Sequence, residues 1–170
     1  PSRSGWGGRM SDRLIAANTG QLVPSAISVT GSQVFVNGNL TAPLVVPQNG
    51  TVNISGVNNA GGAGYAALQA MLKSADPNST VVSKAAGILD RALLANSTAN
   101  PLLGVTSPNI TTAFTVGGNL LNTGIAQQLR QVARLIDGRA ATGVKRQFFF
   151  VGVGGYDTHT AQVTLLPNVN

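Results

Sequence analysis

The sequence predicts an α/β fold, and two observations carry that expectation. A helical pattern from about Thr123 to Ala141, ending at Gly143, leads into the continuous apolar run Gln147-Phe148-Phe149-Phe150-Val151-Gly152-Val153. A run of this kind entered from a helix reads as a central strand of a sheet covered on both faces. The second observation is the first third of the chain, where short β-branched and aromatic runs alternate with Gly, Pro and Asn, the pattern of strands and turns. The 170 residues suit one domain, and 43% hydrophobic residues can build its core.

Residues 1–20 form a helical lead-in. Ser4-Gly5-Trp6-Gly7-Gly8 precedes a short amphipathic helix over Arg9 to Ala17, stopped by Asn18 and Gly20, with Trp6 expected to pack on that helix. Residues 21–62 are β-rich. Ala26–Val29 and Gln33–Val36 flank Thr30-Gly31-Ser32 and predict a small β-hairpin. Leu44-Val45-Val46 between Pro43 and Pro47 predicts an edge strand, and Thr51 to Val57 offers a further strand. The Gly/Asn cluster from Asn58 to Gly64 lacks the Lys and Ser/Thr of a phosphate-binding loop and reads as a plain loop.

Residues 63–122 are helical with a long loop. Helices are expected over Tyr65–Ser74 and Thr80–Ala95, the second with a stripe of Val82, Ala86, Leu89 and Leu93 and an N-cap at Asn78 or Ser79. The Asn/Thr/Pro-rich stretch from Asn96 to Gly118 reads as a loop, long enough to suggest packing or purpose. Residues 123–170 are the helix–strand unit. Ile125, Leu129, Val132, Ile136 and Ala140 are its expected core stripe, and Arg134 and Asp137 are spaced for an exposed i, i+3 ion pair.

Charge is scarce: 9% of residues are charged, against about 25% in an average domain. All five acids are Asp, and eight Arg dominate the net charge of +6. The polar surface is therefore Asn, Ser, Thr and Gly, which hydrates through neutral groups and repels copies of itself weakly. Such composition suits secreted, layer and fibre proteins. The cations are scattered without interleaved aromatics, so nucleic acid is not an expected partner. Without Cys there is neither a disulfide framework nor a thiolate metal site. No membrane span is expected. Six Asn-x-Ser/Thr triplets, at Asn39, Asn49, Asn53, Asn78, Asn96 and Asn109, fit an extracellular surface but also arise by chance in such a composition.

The chemically pointed segment is Gly154-Gly155-Tyr156-Asp157-Thr158-His159, just past the end of the apolar run. Ligands gather at the carboxyl ends of strands in open α/β sheets. Asp157 and His159, the latter being the chain's single His, offer an oxygen and a nitrogen ligand for Zn²⁺ or a similar divalent metal. The alternative is an Asx-type turn beside an exposed imidazole.

Three blocks carry a family resemblance: Ser4-Gly5-Trp6-Gly7-Gly8-Arg9-Met10-Ser11-Asp12-Arg13-Leu14, then Gln128-Leu129-Arg130-Gln131-Val132-Ala133-Arg134-Leu135-Ile136, then Val144-Lys145-Arg146-Gln147-Phe148-Phe149-Phe150-Val151 running into Gly154 to His159. In this order they resemble domain-of-unknown-function family 1501, exported bacterial proteins similar to the alkaline-phosphatase/sulfatase superfamily. The region from Leu22 to Thr123 matches only loosely. The resemblance implies a doubly wound sheet, an extracellular or periplasmic location, and Asp157 and His159 where metal ligands lie. Members are longer, so the chain reads as an internal fragment. A two-metal site needs more carboxylates and imidazoles than one His and five scattered Asp supply. The chain as given is thus expected to be non-catalytic, a structural component that self-associates. The alternative is a piece of a metal-dependent phosphatase- or sulfatase-like hydrolase.

Overall fold

The computed structural model describes residues 4–52, 62–74, 76, 78–105 and 107–154. In chain order the elements are α1 (Trp6–Arg13), β1 (Ala26–Ser28), β2 (Leu44–Val45), α2 (Ala63–Lys73), α3 (Thr80–Gly104), α4 (Pro108–Ala113), β3 (Thr115–Val116), β4 (Asn119–Leu120), α5 (Gly124–Asp137), α6 (Arg139–Thr142) and β5 (Phe148–Phe150). Short 3₁₀ turns lie at Ala16–Asn18 and Val34–Val36. The expected mixed α/β class is what forms. Strands β2, β1 and β5 make a parallel sheet in that order, and β3–β4 is a separate small antiparallel hairpin.

Helices lie on both faces of the parallel sheet. Ile27 of β1 is fully buried in the main core with Val23, Val29, Val46, Leu103 and Leu135, and Phe149 packs against that cluster. Side chains alternate along a strand, so Phe148 and Phe150 face the other side, where Phe150 meets the Phe35 ring at 5.3 Å. Phe35 sits in the 3₁₀ turn on which α1 rests. The glycines at the N-cap and in the first turn of α1 make that approach possible. A Cβ on Gly5 would fall on the backbone of Val34 and Phe35, and one on Gly8 on the backbone of Asn37.

Several sequence expectations are corrected. Ala26–Ser28 is not half of a hairpin: it pairs in parallel with both Leu44–Val45 and Phe148–Phe150, while Val34–Val36 curls into a 3₁₀ turn. The central position belongs to β1, whose three residues are all buried. Phe148–Phe150 occupies a sheet edge among the described residues and is half-buried. Leu44–Val45 is the other edge, as expected. The helix of the lead-in starts at Trp6 and stops at Arg13. Trp6 is 60% exposed, its ring 5.8 Å from Phe35 instead of folded onto its own helix.

The loop expected over Asn96–Gly118 is largely helical. Helix α3 continues to Gly104 with Pro101 inside it, because Ala95, Ala99 and Leu103 repeat every fourth residue and are buried in the core. Of the stripe predicted for its first half, only Leu93 is buried; Val82 and Leu89 are exposed. Ser79 does cap it, its hydroxyl accepting from Val82 N at 3.4 Å. Helix α2 forms where expected and buries none of its residues. The third helix is split at Gly138 into α5 and α6, and Gly143 ends it with φ +68°, the left-handed stop that favours glycine. Residues 53–57 of the candidate strand and most of the Gly/Asn cluster lie outside the described residues.

The core stripe of α5 is partly rotated from its expected phase: Val132 packs against the core as expected and Ile125 is half-buried. Leu129 and Ile136 are exposed, as is Ala140 in α6, whereas Ala126, Gln128, Arg130, Gln131 and Leu135 are buried. The Arg134–Asp137 pair does not form. Arg134 instead donates to Leu103 O at 3.1 Å and to Gln131 Oε1 at 2.8 Å.

Candidate functional site

The parallel order sends the carboxyl ends of β1, β2 and β5 to the same edge of the sheet, the edge where α/β proteins place ligands. Each exit carries unpaired backbone groups once its ladder ends, and side-chain amides take them up. Gln128, 5% exposed, accepts from Gly152 N through Oε1 at 2.8 Å and donates through Nε2 to Gly152 O at 3.0 Å. Asn100 grips Val52 in the same way, Oδ1 to Val52 N at 2.8 Å and Nδ2 to Val52 O at 2.6 Å. Gln131, fully buried, donates to Pro47 O and Gly50 O at 3.2 and 2.7 Å. Three amides from α3 and α5 thus act as surrogate strand neighbours beyond the ladder. Buried amides satisfied on both atoms hold one arrangement of the backbone, since the unpaired alternative costs about 1–3 kcal/mol per group.

Arg134 supports this array by fixing the Oε1 of Gln131. Partial burial, with the neighbouring Arg130 cation, lowers the Arg134 pKa, and the guanidinium remains charged. Arg130 itself donates to Leu121 O at 3.1 Å. At the exits of β1 and β5, Thr30 lies against Gly152; a Cβ on Gly152 would stand 3.5 Å from the Thr30 methyl. The chain then passes through Val153 and Gly154, both exposed, toward Asp157 and His159, which lie outside the described residues. Among the described residues no group of three His, Cys, Asp or Glu is placed to hold a metal ion. No helix among them is long and apolar enough to cross a membrane.

On the opposite face, α1 borders an open groove of about 490 Å³ lined by Trp6, Arg9, Met10, Asp12, Arg13, Asn39 and Leu40. Asp12 fastens its floor. The carboxylate accepts from Asn39 N (2.7 Å), Leu40 N (3.1 Å), Thr41 N (2.9 Å) and Thr41 Oγ1 (2.8 Å). Desolvation by itself would raise its pKa, but these four donors together outweigh that and hold it below the ordinary 3.8. A depressed carboxyl pKa contributes stability that is complete above the unfolded value and is lost as the pH falls through the folded one. Thermal stability is therefore expected to fall below about pH 4 through this site. Asp12→Asn should pre-empt that loss, costing about 1 kcal/mol at neutral pH because the site is solvent-screened. Melting temperatures measured from pH 2.5 to 7 check this, and parallel curves for parent and variant would refute it.

Sequence reasoning did not pick out Asn100, Gln128, Gln131 or Asp12. The usable signal was the i, i+3 pair of Gln on a helix whose neighbours Ala126 and Leu135 are apolar, a polar intrusion into a core face. No family model, curated protein or solved structure matches this chain.

Proposed function

We propose that the chain is an extracellular or periplasmic structural component that self-associates into a filament or layer and performs no catalysis of its own. The observation that carries this is the exposure of large apolar side chains on two different parts of the chain. One set lies on the α1 side, where Trp6, Met10, Phe35 and Leu40 are between 39% and 79% exposed. The other is on the α2–α3 helices, where Met71, Val81 and Ile88 are exposed by 69%, 78% and 71%. Large exposed apolar surface marks contact sites, and an open assembly needs contacts that do not close on themselves. The scarcity of charge, 9% of residues, leaves little electrostatic repulsion between copies. Light scattering and negative-stain imaging over a concentration series should show oligomers growing with concentration; monomers throughout would sink the proposal.

A second reading, a piece of a metal-dependent hydrolase, is favoured by the Gln128–Gly152 clamp. It anchors the segment leading to Asp157 and His159 at the carboxyl edge of a parallel sheet. Those two side chains fit a Zn²⁺ ion chemically, but such a site takes at least three protein ligands, so the others would come from outside the pair. Zn²⁺ titration monitored by calorimetry should then show binding that His159→Ala abolishes; equal heats from parent and variant would dispose of this reading.

A further inference from the structure

The chain carries two Asn-Gly pairs, Asn37-Gly38 and Asn49-Gly50, and the fold treats them oppositely. Glycine lets its own nitrogen approach the preceding side chain with the least hindrance, because it has no Cβ. Asn49 and Gly50 lie in the exposed bend just past the carboxyl end of β2. Gly50 N donates to Asn49 Oδ1 at 3.1 Å, so the side-chain amide already lies against the next nitrogen. Among the described residues nothing stands within 4 Å of where a Cβ on Gly50 would be. The bend is held from behind, where Gln131 Nε2 donates to Pro47 O and Gly50 O at 3.2 and 2.7 Å. At the other pair the same nitrogen is taken. Gly38 N donates to Thr41 O at 3.0 Å, and Asn37 O accepts from Gly5 N at 2.8 Å. Helix α1 also packs on this peptide so closely that a Cβ on Gly8 would fall on the Asn37 carbonyl and Gly38 N.

We propose that Asn49 is a site of spontaneous covalent modification: it cyclises with Gly50 to a succinimide that opens to aspartate and isoaspartate, while the fold protects Asn37. Hydroxide takes the Gly50 amide proton, and the freed nitrogen attacks Asn49 Cγ. The new N–Cγ bond forms as the Cγ–Nδ2 bond breaks, and Nδ2 takes a proton from water and leaves as ammonia. A second water then opens the ring. Cleavage of the N–Cγ bond gives an aspartyl side chain, and cleavage of the bond from N to the main-chain carbonyl carbon gives isoaspartate. Holding the two reacting groups against each other is what speeds an intramolecular step of this kind. Either product puts a carboxylate where a neutral amide stood, in a chain whose acids are five Asp. Isoaspartate also adds one carbon to the main chain between Pro47 O and Gly50 O, the two carbonyls that Gln131 holds. Gln131 is fully buried, so a carbonyl drawn away leaves its amide short of a partner. The modification therefore loosens the exit of β2 as the protein ages.

Peptide mapping by mass spectrometry of the folded chain, aged in mildly alkaline buffer, tests this together with an isoaspartyl methyl-acceptor assay. Deamidation should accumulate in the Asn49 peptide at least about tenfold faster than in the Asn37 peptide, since Gly38 N must first give up its hydrogen bond. In guanidinium, where no fold distinguishes the pairs, the two rates should converge. Asn49→Gln should remove most of the methyl-acceptor signal from the aged folded chain. Asn49→Asp introduces the same charge without lengthening the main chain. It should melt like the fresh parent, whereas the aged, isoaspartate-bearing parent should melt lower. Equal or faster reaction at Asn37 in the folded chain overturns the proposal. So does a folded Asn49 that stays intact while the unfolded one reacts. If isoaspartate forms at Asn49 and the aged chain still melts like Asn49→Asp, the loosening of the β2 exit is wrong.

Discussion

Asn18→Ala is expected to cost about 3 kcal/mol of folding stability, a drop of about 10 °C in melting temperature for a chain of this size. Asn18 is 1% exposed and uses its whole amide. Nδ2 donates to Ser25 Oγ at 2.8 Å and to Arg146 O at 2.9 Å, and Oδ1 accepts from Lys145 N and Arg146 N at 2.9 and 3.0 Å. Alanine would leave two backbone N–H groups and a carbonyl without partners in a site water barely reaches. Each buried unpaired group costs about 1–3 kcal/mol. The damage also has a direction. Lys145 and Arg146 are the last residues before β5, so Asn18 fixes where that strand enters the sheet. Hydrogen exchange should show earlier loss of protection at Phe148 and Phe150 than in β2. Asn18→Asp should not rescue at neutral pH, because a carboxylate oxygen then faces the Arg146 carbonyl where a donor is needed. A melting temperature within 2 °C of the parent for Asn18→Ala, as read by calorimetry, would show the hub to be dispensable.

The features legible in the sequence were those set by local chemistry. The helix over Ala63–Lys73, the Ser79 cap, the Gly143 stop and the short edge strand at Leu44 all follow from residues within a turn of themselves. What failed depended on distant partners. Two adjacent apolar runs, Ala26–Val29 and Gln33–Val36, suggest a hairpin only if each is the other's neighbour. Here β1 takes β2 and β5 as its neighbours, and Phe35 is held against α1 and Phe150. The rotated stripe of α5 has a different cause. A hydrophobic stripe assumes that polar residues face water, but Gln128 and Gln131 are buried because they complete backbone hydrogen bonds of the strand exits. A polarity scale cannot see that a side-chain amide imitates a strand. Pro101 misled for a related reason: a proline penalises an isolated helix, yet Ala95, Ala99 and Leu103 recover that cost by packing in the core. Of the candidate site, the sheet edge and the glycines that leave it were legible, while the amides that fasten it were not.

Gly8→Ala should be nearly as damaging as the loss of Asn18, and for an opposite reason: it adds one carbon where there is no room. Gly8 lies in α1, which rests on the turn around Phe35, and its Cβ would coincide with the Asn37 carbonyl and the Gly38 nitrogen. A flexible side chain could move aside, but backbone cannot without breaking the Gly5 N to Asn37 O bond (2.8 Å) that pins the start of the helix. Overpacking costs about 1–3 kcal/mol, and contact with backbone puts this site at the upper end. The helix is then expected to lift from the sheet face and take the Trp6 ring away from Phe35. Because Trp6 is the only Trp, its fluorescence reports the event directly: the ring, already 60% exposed, should lose its contact with Phe35 and its emission shift modestly to longer wavelength. Gly87→Ala is the matched control. That glycine lies inside α3 with nothing within 4 Å of the added carbon, so alanine should stabilise by up to about 1 kcal/mol through helix propensity. If both substitutions shift the melting temperature in the same direction, close approach of α1 is not what selects glycine at position 8. Opposite signs, with the fluorescence change confined to Gly8→Ala, would tie the glycines of the first sequence block to helix docking. They would also make α1 the support of the aromatic face through which copies are proposed to meet.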